Sequence, residues 1–371
     1  MKKSLPRLIV AASESDPDML YATRFFAPDA FVFLEKKGRR IVMLNDLEVD
    51  RGRAQAQVDE VVAYSDVAKR AGKHATFVDV VQHFLKEHKV TKALVPASFP
   101  LGLANDLQDD GKIKLHPAKG LFYPQREFKS DDELKLVRKA LAITEAGLAR
   151  GVEVLASAKI GPKRQLSWGN GILTSERLRA EIDSAILHAG GQPANTIVAG
   201  GEQACDPHER GSGPLKADSL IILDIFPRDA STGYYGDMTR TVVRGKASDA
   251  QRKLWETVFE GQKLAMELMQ PGVEGKSVHE AVQQLFADAG YPTEQKNGRW
   301  TGFFHGTGHG LGLEIHEEPR LGRTTFTPGQ VLTVEPGLYY PGLGGVRIED
   351  VVTITDSGIR MLSKFEKLLE V

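Results

Sequence analysis

The chain has 371 residues, of which 41% are hydrophobic and 26% charged, with a formal net charge of −1 and one cysteine. That length is long for one hydrophobic core, so two domains are expected. The even charge balance leaves no overall basic field to hold nucleic acid or an anionic membrane, and the lone Cys205 excludes an intrachain disulfide, in keeping with a reducing compartment.

The first residues, Met1-Lys2-Lys3, open like a signal peptide, but the apolar run at 8–12 is too short for an h-region and meets Ser13-Glu14-Ser15-Asp16. No apolar run is long enough to span a bilayer, so a cytoplasmic protein is expected. Residues 31–34 (Phe-Val-Phe-Leu) and 41–44 (Ile-Val-Met-Leu) flank a polar turn at 35–40 and read as a hairpin. Residues 76–87 carry apolar side chains at helical spacing, and 93–96 read as a strand. This first third is a small α/β unit that gathers no catalytic residue types. Tyr123-Pro124-Gln125-Arg126 reads as a loop. Ser130, with Glu133 three residues on, reads as a capping box opening an amphipathic helix through Leu134, Val137, Leu141 and Leu148. The expected domains are therefore 1–125 and 126–371, the second helix-rich to about residue 190 and strand-rich beyond.

Two later stretches resemble each other. In the first, Leu220-Ile221-Ile222-Leu223 runs into Asp224, a turn follows, and Asp237 opens Met238-Thr239-Arg240-Thr241-Val242-Val243. In the second, Val331-Leu332-Thr333-Val334 runs into Glu335, a Gly-rich turn follows, and Glu349 follows Val346-Arg347-Ile348. Both read as β-hairpins presenting two carboxylates each. Charges in apolar strands need partners, because burying them alone is costly. Arg240 and Arg347 are the candidate partners in the chain; bound cations are the alternative.

A third stretch, from His305 to Pro319, brings His305, His309 and His316 together with glycines at 306, 308, 310 and 312. The glycines argue against a helix and do not follow the dinucleotide-binding spacing. A Gly-rich strand or loop remains, with imidazoles projecting from it. Four carboxylates and one imidazole form an oxygen-rich donor set, suited to Mn²⁺, Co²⁺ or Fe²⁺, with Zn²⁺ also possible. Such a set is large enough for two metals roughly 3.5–4 Å apart.

These segments resemble the M24 metallopeptidases, in particular the proline-specific branch of aminopeptidase P and prolidase. Asp224 sits in Leu-Asp-Ile, Asp237 in Gly-Asp-Met-Thr-Arg-Thr, His309 in Gly-His-Gly, Glu335 in Thr-Val-Glu-Pro-Gly and Glu349 in Val-Arg-Ile-Glu-Asp. The resemblance implies an α/β (α+β) protein with a creatinase-like N-terminal domain followed by a pita-bread catalytic domain. It implies two divalent metal ions, Mn²⁺ first, with Asp224 on one, His309 and Glu335 on the other, and Asp237 and Glu349 bridging. It also implies catalytic roles for His208, His316 and Glu335, and substrate-side roles for His305, Tyr339 and Arg347. The implied substrate is a proline-containing di- or oligopeptide and the implied assembly a homodimer. The turn at 227–233 is longer than is usual in the family; it is expected beside the cleft, where it would bear on substrate range.

An Xaa-Pro dipeptidase is the first expectation, with aminopeptidase P as the alternative within the branch and a catalytically inactive binding protein as the alternative outside it. Retention of all five metal positions argues against the last. A dipeptidase must also capture the substrate's free carboxylate. Arg320 and Arg323 are candidates, although on sequence alone the plainer reading, two solvated loop arginines, is preferred.

Overall fold

Alternation at period two explains the N-terminal sheet. In strands Arg7–Ala11, Phe31–Lys36 and Arg39–Leu44, Leu8, Val10, Val32, Leu34, Ile41 and Met43 face one apolar cluster. Ile9, Phe31, Phe33, Val42 and Leu44 face another. A sheet buried on both faces results. In this computed structural model, which describes residues 5–109 and 111–371, the chain forms two compact units, Met1–Arg126 and Glu127–Val371.

The first unit is a six-stranded mixed sheet. Its spatial order is Glu60–Ala63, Arg39–Leu44, Phe31–Lys36, Arg7–Ala11, Lys92–Val95 and Lys114–Pro117. The expected hairpin pairs antiparallel, but its turn is only Lys37-Gly38, both with positive φ (53° and 81°). That two-residue geometry matches strand twist, so the flanking polar residues extend the strands rather than the loop. The helix Phe77–Glu87 is closed at its start by a Thr76–Asp79 capping box and buries Val80, Val81, Phe84 and Leu85.

In the second unit the Ser130–Glu133 capping box opens a 27-residue helix, Asp131–Ser157, burying Leu134, Val137, Leu141 and Leu148. The helix Ser175–His188 packs on it; Gly147 and Gly151 face Ile182 and Ile186, and a Cβ at either would stand 3.0 Å from those side chains. Strand Leu220–Ile225 lies between Ile197–Gly200 and Met238–Val243, antiparallel to both. A five-stranded antiparallel sheet follows in the spatial order Glu317–Arg320, His309–Gly310, Val331–Val334, Asp350–Thr355 and Gly358–Met361.

Two differences from the sequence reading stand out. Two helices, Asp249–Leu268 and Gly275–Asp288, interrupt the strand-rich half and bury Leu254, Val258, Val278, Val282 and Phe286 in one core with Leu332, Val334 and Val352. A Ser248–Gln251 capping box marks the first of them in the sequence. The second acid-bearing hairpin is also more elaborate than expected. Its connection is itself a paired hairpin, Gly337–Tyr340 with Gly344–Arg347, so Val346 and Arg347 belong to a different strand from Asp350.

Candidate metal centre

The ends of two antiparallel strand pairs bring the four acids together. Asp224 pairs across the sheet with Thr239, and Asp237 lies two residues before Thr239, so the two aspartates sit diagonally on one face. Val334 pairs with Asp350; continuing that register sets Glu335 opposite Glu349. The two pairs are joined where the acids emerge. The Glu349 N–H donates to the Thr239 carbonyl at 3.1 Å, and the Thr239 hydroxyl donates to Glu349 Oε2 at 2.8 Å.

His309 enters from the short strand next to Val331–Val334. Its Nε2 lies 3.3 Å from Glu335 Oε1 and 3.6 Å from Asp237 Oδ2, while its N–H donates to the Thr333 hydroxyl at 3.0 Å. The glycines beside it serve close approach, not positive φ. A Cβ at Gly308 would stand 1.9 Å from the Thr333 carbonyl oxygen, and one at Gly312 2.2 Å from Glu317 Oε1. A side chain at either position would push the histidine segment off the sheet.

Burial, and then the charges of neighbouring acids, hold the Asp237 and Glu349 carboxyls well above the ordinary carboxylate range. Burial likewise raises Glu335 to about 7, with Arg347 opposing and Asp224 adding to the rise. His309 is held down to about 4 by burial, so it is neutral with a lone pair to give. The two arginines proposed as partners separate. Arg347 donates to Asp224 Oδ2 at 2.7 Å. Arg240 turns away to Asp350 (2.8 Å) and to the Glu349 carbonyl (2.6 Å).

This arrangement suits divalent cations. Asp237, His309 and Glu349 each offer a ligand atom, and those atoms lie within 4.8 Å of one another. Glu349 Oε1 is buried without a hydrogen-bond partner among the described residues, a costly state for a carboxylate oxygen unless a cation meets it. Glu335 adjoins the group through His309, and Asp224 has one oxygen on Arg347.

The acids form the floor of a cavity of about 800 Å³. Asp224, Asp237, His309, Glu335, Glu349, His208, His305, His316 and Arg347 all line it. Tyr339 does not: it is fully buried, and its hydroxyl meets Arg347 Nη1 and His305 Nε2, both at 2.9 Å. Its link to the cavity runs through those two side chains. Enclosure, ahead of the charge of Arg347, lowers His305 to about 3. Partial enclosure, which leaves some of the ring exposed, and then neighbouring His309 lower His316 to about 4; its ring meets that of His309 edge-on, 4.4 Å between centroids.

Arg320 and Arg323 also line this wall, contrary to the plainer reading of two solvated loop arginines. Of the long turn, no residue from 227 to 233 lines the cavity; only the preceding Phe226 does. The turn is drawn away instead: Arg228–Asp229 pairs with Gly191–Gln192, and buried Asp229 accepts hydrogen bonds from Ser231 and Thr232. One lining histidine escaped the sequence reading. His279, on the helix Gly275–Asp288, reaches the cavity with its Nδ1 2.7 Å from the Thr307 hydroxyl. A single histidine in an amphipathic helix carries no local signal of such a role.

Residues 135–356 match metallopeptidase family M24. The Xaa-Pro dipeptidase of Pyrococcus horikoshii is 30% identical over 303 residues, 78% of this chain and 80% of its own. The Xaa-Pro dipeptidase of Pyrococcus furiosus is 32% identical over 250 residues, 66% of this chain and 65% of its own. Among solved structures, the prolidase from Pyrococcus horikoshii OT3 superposes with a TM-score of 0.79 at 26% identity, covering 98% of this chain and 95% of that one. The X-Pro aminopeptidase from Thermotoga maritima MSB8 superposes with a TM-score of 0.83 at 22% identity, covering 99% and 97%, a likeness of fold. The acid-bearing strand pairs and the histidine between them thus stand in a pita-bread fold, and the chain belongs to metallopeptidase family M24 and is a hydrolase.

Proposed function

We propose that this protein is an Xaa-Pro dipeptidase working with two divalent cations held by Asp224, Asp237, His309, Glu335 and Glu349. The observation that carries the dipeptidase reading is Arg320. Arg320 lines the cavity wall, and its guanidinium makes no ion pair or hydrogen bond to another described residue, so it is free to receive a carboxylate. A dipeptide ending in proline supplies a free carboxylate one residue beyond its scissile bond; a longer peptide does not. Arg323, exposed on the same wall, adds to the field.

When bound, the cations supply Lewis acidity and lower the pKa of a water to about 7. The protein's own groups do the rest. Glu335, which lies 3.3 Å from His309, is suited to pass a proton to the leaving imide nitrogen, assisted by His316, whose ring meets that of His309. His208, exposed at the cavity, stabilises the developing oxyanion. His305, with Phe304 against it, lines the side that receives the proline ring. Proline's nitrogen is tertiary and its φ fixed, so a site that asks for no N–H there and offers a compact apolar wall selects it. The same reading takes Mn²⁺ as the working ion, a homodimer as the assembly, the cytoplasm as the compartment and a creatinase-like fold for the N-terminal unit.

The test compares an Xaa-Pro dipeptide with its C-terminal amide and with an Xaa-Pro-Yaa tripeptide. The free dipeptide should be preferred. Arg320→Ala should raise its KM about 10- to 100-fold, the scale of one charge-assisted hydrogen bond, and leave the amide unaffected. A preference for the tripeptide would make the protein an aminopeptidase of the P type, and no hydrolysis with metal bound would make it a binding protein.

A further inference from the structure

Residues 311–316 close a loop between the paired strands His309–Gly310 and Glu317–Arg320, with Gly310 opposite Glu317. The loop carries His316 round to the edge of the His309 ring. His316 is exposed and makes no hydrogen bond to another described residue, so the backbone of its loop must set its place.

The Glu317 side chain shapes that backbone. It turns away from the cavity into the protein, where Lys129 Nζ donates to Oε1 at 2.5 Å; the two side chains are 2% and 3% exposed. Its Oε2 accepts from the Glu314 N–H at 3.4 Å. Gly312 wraps against the same carboxylate so closely that it has no room for a Cβ. Lys129 is itself held firmly. Its N–H donates to the Gly329 carbonyl at 2.8 Å, and the next residue caps the long helix Asp131–Ser157. Neither partner of the pair lines the cavity.

A buried ion pair is a weak source of stability, because desolvation costs several kcal/mol per ion and an apolar pair of similar volume often serves as well. It is a strong positional device, because each carboxylate oxygen must meet its donor or remain buried unmet. The geometry points to Lys129 and Glu317 as positioning residues for His316: their buried pair folds the 311–316 loop around the Glu317 carboxylate and so orients His316 against His309. The catalytic consequence rests on the role given to His316 in Xaa-Pro hydrolysis; the effect on the loop does not.

The experiment uses the full chain loaded with Mn²⁺ and the variants Glu317→Gln, Lys129→Met and the double variant. Amide hydrogen exchange of peptides covering 309–320 is read beside kcat and KM on an Xaa-Pro dipeptide. Each single variant should lose protection in 311–316 while strands Leu220–Ile225 and Met238–Val243 keep theirs. Each should lower kcat about 10- to 100-fold, the range for residues supporting a metal site, with KM changed less than about threefold. The double variant should lose no more than either single, because the two charges act as one unit. Wild-type protection and kcat in Glu317→Gln would overturn the proposal, as would losses that multiply in the double variant. If Lys129→Met does not fold, the near-isosteric Glu317→Gln decides. If the wild type does not cleave Xaa-Pro peptides, the reading of the function fails, and hydrogen exchange alone decides the positioning pair.

Discussion

The Arg347 guanidinium joins Asp224 to Tyr339: Nη2 donates to the Asp224 carboxylate at 2.7 Å and Nη1 to the Tyr339 hydroxyl at 2.9 Å. Tyr339 in turn meets His305. A continuous run of hydrogen bonds therefore links an acid on the cavity floor to a histidine on its wall. A planar fork with separated donors is what the position requires, and a point charge cannot replace it. Arg347→Lys should keep the fold but lower kcat/KM about 10- to 100-fold. Arg347→Met should also destabilise the protein by about 3–5 kcal/mol, because it leaves Asp224 without its partner. Denaturant titrations beside steady-state kinetics separate the two effects, and wild-type kinetics in Arg347→Lys would remove Arg347 from the site's machinery.

His309→Ala and Glu335→Ala test the metal centre. Each deletes a donor from a set already rich in unanswered carboxylate charge. Activity should fall by more than about 100-fold and bound metal should fall with it, while circular dichroism stays that of the wild type. Full activity in either variant with metal replete would sink the assignment of these ligands.

Metal binding should be proton-linked with a definite sign. The raised carboxyls, Asp237, Glu349 and Glu335 (about 7), hold protons that a cation must displace. His309, held down to about 4, is already neutral above pH 5 and contributes none. Affinity for Mn²⁺ should therefore rise with pH from 5 to about 7, with protons released on binding. Calorimetry in two buffers of different ionisation enthalpy measures that release. Metal uptake without proton release in this range contradicts the picture of the floor.

Asp350 should behave in the opposite way to the acids beside it. Burial would raise its carboxyl, but Arg240 at 2.8 Å and Lys367 at 2.8 Å outweigh burial and lower it below 3.8. Its stabilisation is therefore present above the ordinary carboxylate value and lost as pH falls through the lowered one. Asp350→Ala should cost about 3–5 kcal/mol at neutral pH, since it strands a buried Arg240. The gap between wild type and variant should narrow as pH is taken below 3.8; a gap that widens in acid would refute the pairing.

Much of this site is legible from residue order because its signals are local. An acid ending an apolar run, a second acid opening the next strand and alternating glycines around His309 each depend on neighbours a few residues apart. The Ser130–Glu133 capping box, three residues wide, gives the helix start correctly for the same reason. The turn at 227–233 misleads because its length is local but its direction is not: Asp229 folds it back towards its own hydroxyl partners and Gly191–Gln192 pairs with it. His279 is invisible because only the packing of its helix brings it to Thr307.

The sequence by itself determined which residue types stand at the strand ends, and with them an oxygen-rich site with one imidazole. Only the tertiary structure decided which arginine answers Asp224, that Tyr339 stands behind the cavity wall, that Arg320 lines the cavity and that Lys129 reaches Glu317. Arg347 and Asp224 are 123 residues apart, and Lys129 and Glu317 are 188 apart. Over such separations no periodicity links two residues. The partner of a buried charge is chosen by which donors the packed core leaves within reach of it, and that is a property of the whole fold.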